Sequence, residues 1–376
     1  MTVRTGFAVL ILGTGRPTGS PGQRTTRSTF YEGQGVAAFD RVGVAVTARL
    51  MGTLRIGIIG AGHFGRFHAL KVAGSKRAVL AGLYDPQGER AGAVGREVGA
   101  AAMGLEALLE ASDAVIVAAP AETHFSLAAQ ALAAGRHVLV EKPIAATLGE
   151  ADRLAGLARE RGLVLQVGHL LRYSAEHRAI SSRITRPLYI EATRIAPYKA
   201  RGTDVSVILD LMIHDLDLVL ALVHSPIRSV DALGAAVSSP SEDIANARVR
   251  FENGCVATIT ASRISLKTER RMRLFSEEGY LSADFVARKL VMIGRERGLP
   301  LPGTGGFRRE EVGWAESDSM AAEHEGFVVA CLDGAPVLVD AAAGRRALAA
   351  ALAVGASMAI SRERAFASGL LQGTGH

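Results

Sequence analysis

Residues 55–65, RIGIIGAGHFG, constrain this chain more than any other stretch. Ile56, Ile58 and Ile59 read as a short buried strand. Gly60, Gly62 and Gly65 fill the three places of G-x-G-x-x-G, and helical character begins near Phe64. Each glycine answers a separate physical demand. The first allows a tight turn off the strand, the second lets a pyrophosphate approach the backbone, and the third lets helix and strand pack closely. Amides at the start of the helix then turn their partial positive charge toward the phosphates. A glycine triplet alone says little in a chain with 42 glycines, and Gly13-Thr14-Gly15 is a partial copy. Its context says more. The next apolar run, 78–84, ends at Asp85, twenty residues beyond Gly65, where an acid can hold the adenosine ribose. A dinucleotide-binding βαβ unit is therefore expected, with Gly60, Gly62, His63, Phe64, Gly65 and Asp85 as cofactor contacts. The acid would repel a 2′-phosphate, and Pro86, Gln87 and Gly88 supply no cation to offset it, so NAD is expected over NADP.

From Met51 the pattern alternates. Helical runs at 64–73, 87–98, 124–134 and 148–161 separate apolar strands at 78–84, 114–118, 137–140 and 163–168. Such alternation predicts an α/β Rossmann domain, a doubly wound parallel sheet, over 51–172. After Tyr173 the grammar changes to strand-like runs at 188–195, 230–237, 244–251, 256–263, 271–276 and 289–293, with short turns such as Glu252-Asn253-Gly254. The run 244–251 alternates sides, as a half-covered antiparallel sheet requires. One strongly helical stretch, 210–223, interrupts it, and the tail is helical at 321–331 and 341–361. A C-terminal α+β domain with an open, mainly antiparallel sheet is expected over 173–376.

Residues 1–50 read differently. They hold six arginines against Glu32 and Asp40, +4 of the chain's net +6, and leave +2 for the other 326 residues. No basic stripe with interleaved aromatics remains, so no nucleic-acid partner is expected. This extension is expected to be disordered or translated from a start assigned too early, with an organelle transit peptide as the alternative, and to be dispensable for folding. Cys255 and Cys331 offer neither a disulfide framework nor metal-ligand spacing, which points to a reducing cytoplasm and no metal. No apolar run approaches the ~20 residues of a membrane span.

Three segments carry candidate chemistry. Glu141-Lys142-Pro143 ends a parallel strand, where ligands of open α/β sheets bind. Asp210 and His214, four apart, share one helix face. Pro120 and His124 follow the preceding strand, in reach of a nicotinamide. Taken singly, Lys142 reads as a solvated loop lysine, His214 as a satisfied helix histidine and Asp210 as an N-cap. Asp215 and Asp217 read as solvated or capping, and His124 and His169 as residues of the site or of the core.

Together these motifs resemble the glucose-fructose oxidoreductase / inositol dehydrogenase (Gfo/Idh/MocA) family: GAGHFG at 60–65, EKP at 141–143, and D-x-x-x-H within LDLMIHDLDL at 209–218. The resemblance covers about 54–361. It implies NAD as cofactor, with Pro120, His124 and Glu141 added to its contacts, and an open sheet used for homo-oligomerisation as dimer or tetramer. It also implies that Lys142 hydrogen-bonds the reacting hydroxyl, that His214 is the general acid/base, and that Asp210 positions substrate and His214. A histidine near neutral pKa can take the hydroxyl proton, while an ammonium stabilises the developing alkoxide. Residues 167–173 and 194–210 resemble the branch that includes UDP-N-acetylglucosamine 3-dehydrogenases of lipid A precursor synthesis. That branch implies a sugar-nucleotide substrate held by Arg172, Arg194, Tyr198, Lys199 and Arg201, the cations suiting a diphosphate. A free-sugar or inositol dehydrogenase and a non-catalytic dinucleotide sensor are the alternatives.

Overall fold

The computed structural model describes residues 52–198 and 205–370. The 1–50 extension, Lys199 and Arg201 lie outside the described residues. The first sheet is built from β1 (Leu54–Ile59), β2 (Ala78–Tyr84), β3 (Ala114–Val117), β4 (His137–Glu141) and β5 (Leu165–Gly168). All pairings are parallel and the order is β2-β1-β3-β4-β5. The order reverses between β1 and β3, which opens a crevice at the carboxyl ends of those strands. Ile56, Ile58 and Ile59 are buried, as both faces of a covered parallel sheet require. Each such side chain contributes about 1.5–3 kcal/mol on burial.

Helices α1 (His63–Ala73), α2 (Gly88–Val98), α3 (Leu105–Ala111), α4 (His124–Ala133) and α5 (Leu148–Glu160) connect these strands. A capping box starts α5: the Thr147 hydroxyl accepts the Glu150 amide while the Glu150 carboxylate accepts the Thr147 amide. Helix α3 falls outside the sequence expectation. With seven residues it shows too little periodicity to read.

The second sheet has nine strands: β6 (Tyr189–Ile195), β7 (Ile227–Ala235), β8 (Ile244–Phe251), β9 (Val256–Ser262), β10 (Glu269–Ser276), β11 (Gly279–Asp284), β12 (Lys289–Gly294), β13 (Leu299–Pro300) and β14 (Arg308–Gly313). Only β6 and β9 pair in parallel; the other neighbours are antiparallel. Strands β11, β13 and β14 are additions to the expected set. Four of the six residues of RREEVG are charged, and no hydrophobic pattern announces it as a strand. A short helix, α6 (Ala175–Ser181), precedes this sheet.

The catalytic helix begins irregularly. Ile208–Met212 forms a π-helical turn that runs into α7 (Ile213–Val223). The stretch expected as one helix is thus two, and Asp210 sits inside the wide turn rather than at a cap. Such turns recur at functional sites. The last helices, α8 (Ser319–Asp333) and α9 (Ala341–Ala367), return toward the first sheet. Phe327 and Val328 of α8 join the core under β1, and Ala343 and Leu348 of α9 join that on the opposite face. Among the described residues α9 alone has the length and apolarity to cross a membrane, and 44% of its most apolar window is buried inside the protein.

Candidate active site

The crevice is shaped first by its glycines. Gly60 adopts φ +97°, open to glycine at no steric cost. A Cβ on Gly65 would overlap the Gly60 carbonyl oxygen, so helix and turn meet only because the side chain is missing. Over Gly62 a Cβ would meet nothing within 4 Å, the space that an approaching pyrophosphate needs. Asp85 fixes this turn: its Oδ2 accepts the Ala61 amide and its Oδ1 the Gln87 amide, each at 2.8 Å. Both oxygens keep a further lone pair for a ribose. His63 and Phe64 are exposed at the head of α1, and Pro120 is exposed beyond β3.

Two residues expected to touch the cofactor, His124 and Glu141, are buried and hold contacts within the protein. His124 is wedged between two carbonyls, with Nε2 2.9 Å from that of Ala119 and Nδ1 2.7 Å from that of Pro143, and its one N–H as an imidazole can donate to either. Glu141 accepts a hydrogen bond from His68 Nε2 at 2.9 Å and from the Lys142 amide at 3.2 Å. His68 Nδ1 in turn lies 2.7 Å from His324 Nε2. Burial pushes the Glu141 carboxyl up, but the His68 hydrogen bond and the Lys142 charge outweigh it, and the group stays ionised. Nearby Glu323, brought by α8, goes the other way. Burial and the Glu141 charge raise it well above the carboxylate range.

The Lys142 side chain crosses to the second half of the protein. Its Nζ donates to the carbonyls of Leu209 (3.2 Å) and Asp210 (2.9 Å), with the Asp210 carboxylate at 3.9 Å. The exposed carbonyls belong to the π-helical turn, whose geometry presents them to the ammonium. Two of three ammonium protons are thereby held, and one remains for a substrate oxygen. Burial lowers the Lys142 pKa, and Asp210 partly opposes the shift. His214, one turn beyond Asp210, is lowered well below 6.5 by burial and then by the Lys142 charge. It is a neutral imidazole at neutral pH, with Nδ1 unpaired among the described residues. Lys142, from one motif, and Asp210 and His214, from another, thus share one site.

The expected substrate cations are placed differently. Arg194 is buried and forks onto Asp215, Nε at 2.7 Å and Nη2 at 2.8 Å. Arg172 Nη1 reaches Asp217 at 3.4 Å. These pairs clamp α7 against β6 and against the turn after β5, so Arg194 is an internal anchor rather than an open diphosphate grip. Asp215 and Asp217 are correspondingly buried, not solvated or capping. The signal was present as Arg-Asp complementarity, but nothing in the spacing says which arginine meets which acid. Tyr198 is exposed. A further knot steadies the segment before the π turn. Asp243 accepts the amides of Val237, Ser238 and Ser239 and the Arg263 Nε–H, while Arg263 Nη1 donates to the Val205 carbonyl. No group of side chains among the described residues could hold a metal ion.

A glycine turn with open space over Gly62, an acid beside that turn, a lysine at the strand ends and a histidine on α7 that feels its charge are the features of a nicotinamide-dependent dehydrogenase. Comparison with known proteins agrees. Residues 54–169 match the family model described as "Oxidoreductase family, NAD-binding Rossmann fold", and 176–282 match the GFO/IDH/MocA C-terminal domain. The chain belongs to the Gfo/Idh/MocA oxidoreductase family and is an NAD-dependent enzyme. It is 44% identical over 306 residues to UDP-N-acetylglucosamine 3-dehydrogenase of Acidithiobacillus ferrooxidans, which spans 80% of this chain and 96% of that one. A solved structure of that protein superposes with a TM-score of 0.77 at 43% identity, covering 82% of this chain and 98% of the other. Scyllo-inositol 2-dehydrogenase (NAD(+)) of Bacillus subtilis is 29% identical over 232 residues, 56% of this chain and 68% of the relative. Scyllo-inositol dehydrogenase of Lactobacillus casei, solved with NAD(H) and scyllo-inositol, shares the fold at TM-score 0.69 and 20% identity, over 82% of this chain and 98% of that one.

Proposed function

We propose that this enzyme oxidises the C3 hydroxyl of UDP-N-acetylglucosamine. The observation that carries the reading is the 44% identity, over almost the whole of the relative, to an enzyme of that activity. It is supported by Lys142 and His214 meeting at one crevice. Bound NAD supplies the hydride acceptor. The residues of this chain manage the proton. The free N–H of Lys142 donates to the reacting oxygen and stabilises charge as the alkoxide develops. Neutral His214 accepts the hydroxyl proton, a role its depressed pKa leaves open across neutral pH. Asp210 and its carbonyl neighbours hold the ammonium in place.

The product, a 3-keto sugar nucleotide, is the kind of substrate an aminotransferase consumes, which fits an amino-sugar lipid A precursor. Cytoplasmic residence is supported by two free cysteines, Cys255 and Cys331. Assembly as a homo-oligomer is supported by exposed Leu188, Leu233, Val237 and Phe275 on or beside the second sheet. Lys199 and Arg201 remain candidate diphosphate ligands, with Tyr198 as a wall for the base.

The test is NADH absorbance during incubation with UDP-N-acetylglucosamine, free N-acetylglucosamine and inositol. Turnover confined to the sugar nucleotide is expected. Equal oxidation of the free sugar would replace this reading with a free-sugar dehydrogenase.

A further inference from the structure

Strands β4 and β5 pair with Glu141 beside Gly168. The next residue on each chain is Lys142 on one and His169 on the other, so the two leave the sheet side by side at its carboxyl end. His169 is 1% exposed, yet neither Nδ1 nor Nε2 has a hydrogen-bond partner among the described residues. Asp217, buried one turn past His214, likewise has an unpartnered Oδ2, although its Oδ1 meets Arg172. Burial lowers the His169 pKa; the Asp217 and Glu141 charges oppose this while those of Lys142 and Arg172 add to it. The ring is a neutral imidazole, with one nitrogen to donate and one to accept.

Among the described residues the fold supplies this ring with no hydrogen-bond partner. A buried donor and acceptor left unmade cost stability, and a phenylalanine would fill the place without that cost. A sugar ring supplies the missing complement, because each of its polar substituents donates and accepts beside its neighbours. We propose that His169 is a substrate-contacting residue, hydrogen-bonded to a ring substituent that flanks the carbon being oxidised while Lys142 holds the reacting oxygen. The proposal rests on the reading of the site as one for a sugar. It assigns His169 to specificity and orientation, and leaves proton transfer to His214.

The experiment compares full-length parent, His169→Phe and His169→Asn in initial rates over sugar-nucleotide concentration, NAD affinity by fluorescence, and Tm. The Phe variant is expected to lower kcat/KM by about 10–100-fold, the effect of stranding one polar group of the bound substrate. Its NAD affinity should stay within about 2-fold, since the pyrophosphate is held at the glycine turn. Its Tm should hold or rise, because two unmatched nitrogens leave the interior. The Asn variant, with donor and acceptor restored, should recover severalfold. Parental kcat/KM in the Phe variant would overturn the proposal, and so would an Asn variant no better than Phe. Failure of the sugar-nucleotide reading would show separately, as a parent that oxidises free N-acetylglucosamine or inositol instead. The same three proteins are then compared on that sugar, with the same two outcomes deciding the role of His169.

Discussion

The glycine turn and the catalytic helix are both organised by carboxylates, but over different ranges. Asp85 accepts amides from Ala61 and Gln87, in its own βαβ unit. Asp215 and Asp217 instead face Arg194 and Arg172, brought to α7 by other elements. The turn is a binding device written in local spacing. The helix is a chemical device held by pairs that exist only once the chain has folded. Substitutions in the two regions should therefore fail in different ways.

The largest separation is expected in turnover. Lys142→Ala and His214→Ala should each lower kcat by about 10²–10⁴-fold, as removal of a positioned proton-transfer group does. NAD affinity, measured by fluorescence titration, should barely move. Because burial depresses the His214 pKa, the protonated imidazole that would stop the reaction gathers only at lower pH. In the parent, kcat/KM should stay level as pH falls through 6.5, and an acid limb centred there would contradict a neutral His214.

In stability the catalytic helix should again show the greater effect. Asp215→Ala strands the buried Arg194 guanidinium and should cost about 3–5 kcal/mol in urea unfolding. The double variant Arg194→Met with Asp215→Leu should recover much of it. A cost below about 1 kcal/mol, typical of solvated pairs, would mean that Arg194 is free to serve a substrate.

The glycine turn offers a smaller contrast within itself. Gly65→Ala forces a Cβ onto the Gly60 carbonyl oxygen and should cost about 1–3 kcal/mol of stability. Gly62→Ala meets open space, so Tm should hold while NAD binding weakens. Loss of Tm in both would show that the turn is tight throughout and not shaped for a ligand.

The smallest effect concerns cofactor choice. Asp85→Ser should narrow the preference for NAD over NADP, about tenfold being the worth of one charge contact of 1.4 kcal/mol. Steady-state kinetics with both cofactors checks it. Equal use of both by the parent would show that the acid does not face the ribose.

Much of this protein was readable without coordinates. G-x-G-x-x-G, Asp85 and the alternation of strand and helix are local, and hydrogen-bond geometry along one chain segment demands those residues at those spacings. Lys142, Asp210 and His214 were legible as types in motifs. Their meeting was not, because it requires the π-helical turn to aim the Leu209 and Asp210 carbonyls at an ammonium from another sheet. The same limit explains the reassigned residues. Arg194 looks like an open cation and Glu141 like a cofactor contact while their partners are unknown. Folding brings Asp215 to Arg194 and His68, itself beside His324, to Glu141. A sequence states which groups carry charge and which faces are apolar. Burial decides which charges must find each other, and that is a property of distances between elements far apart along the chain.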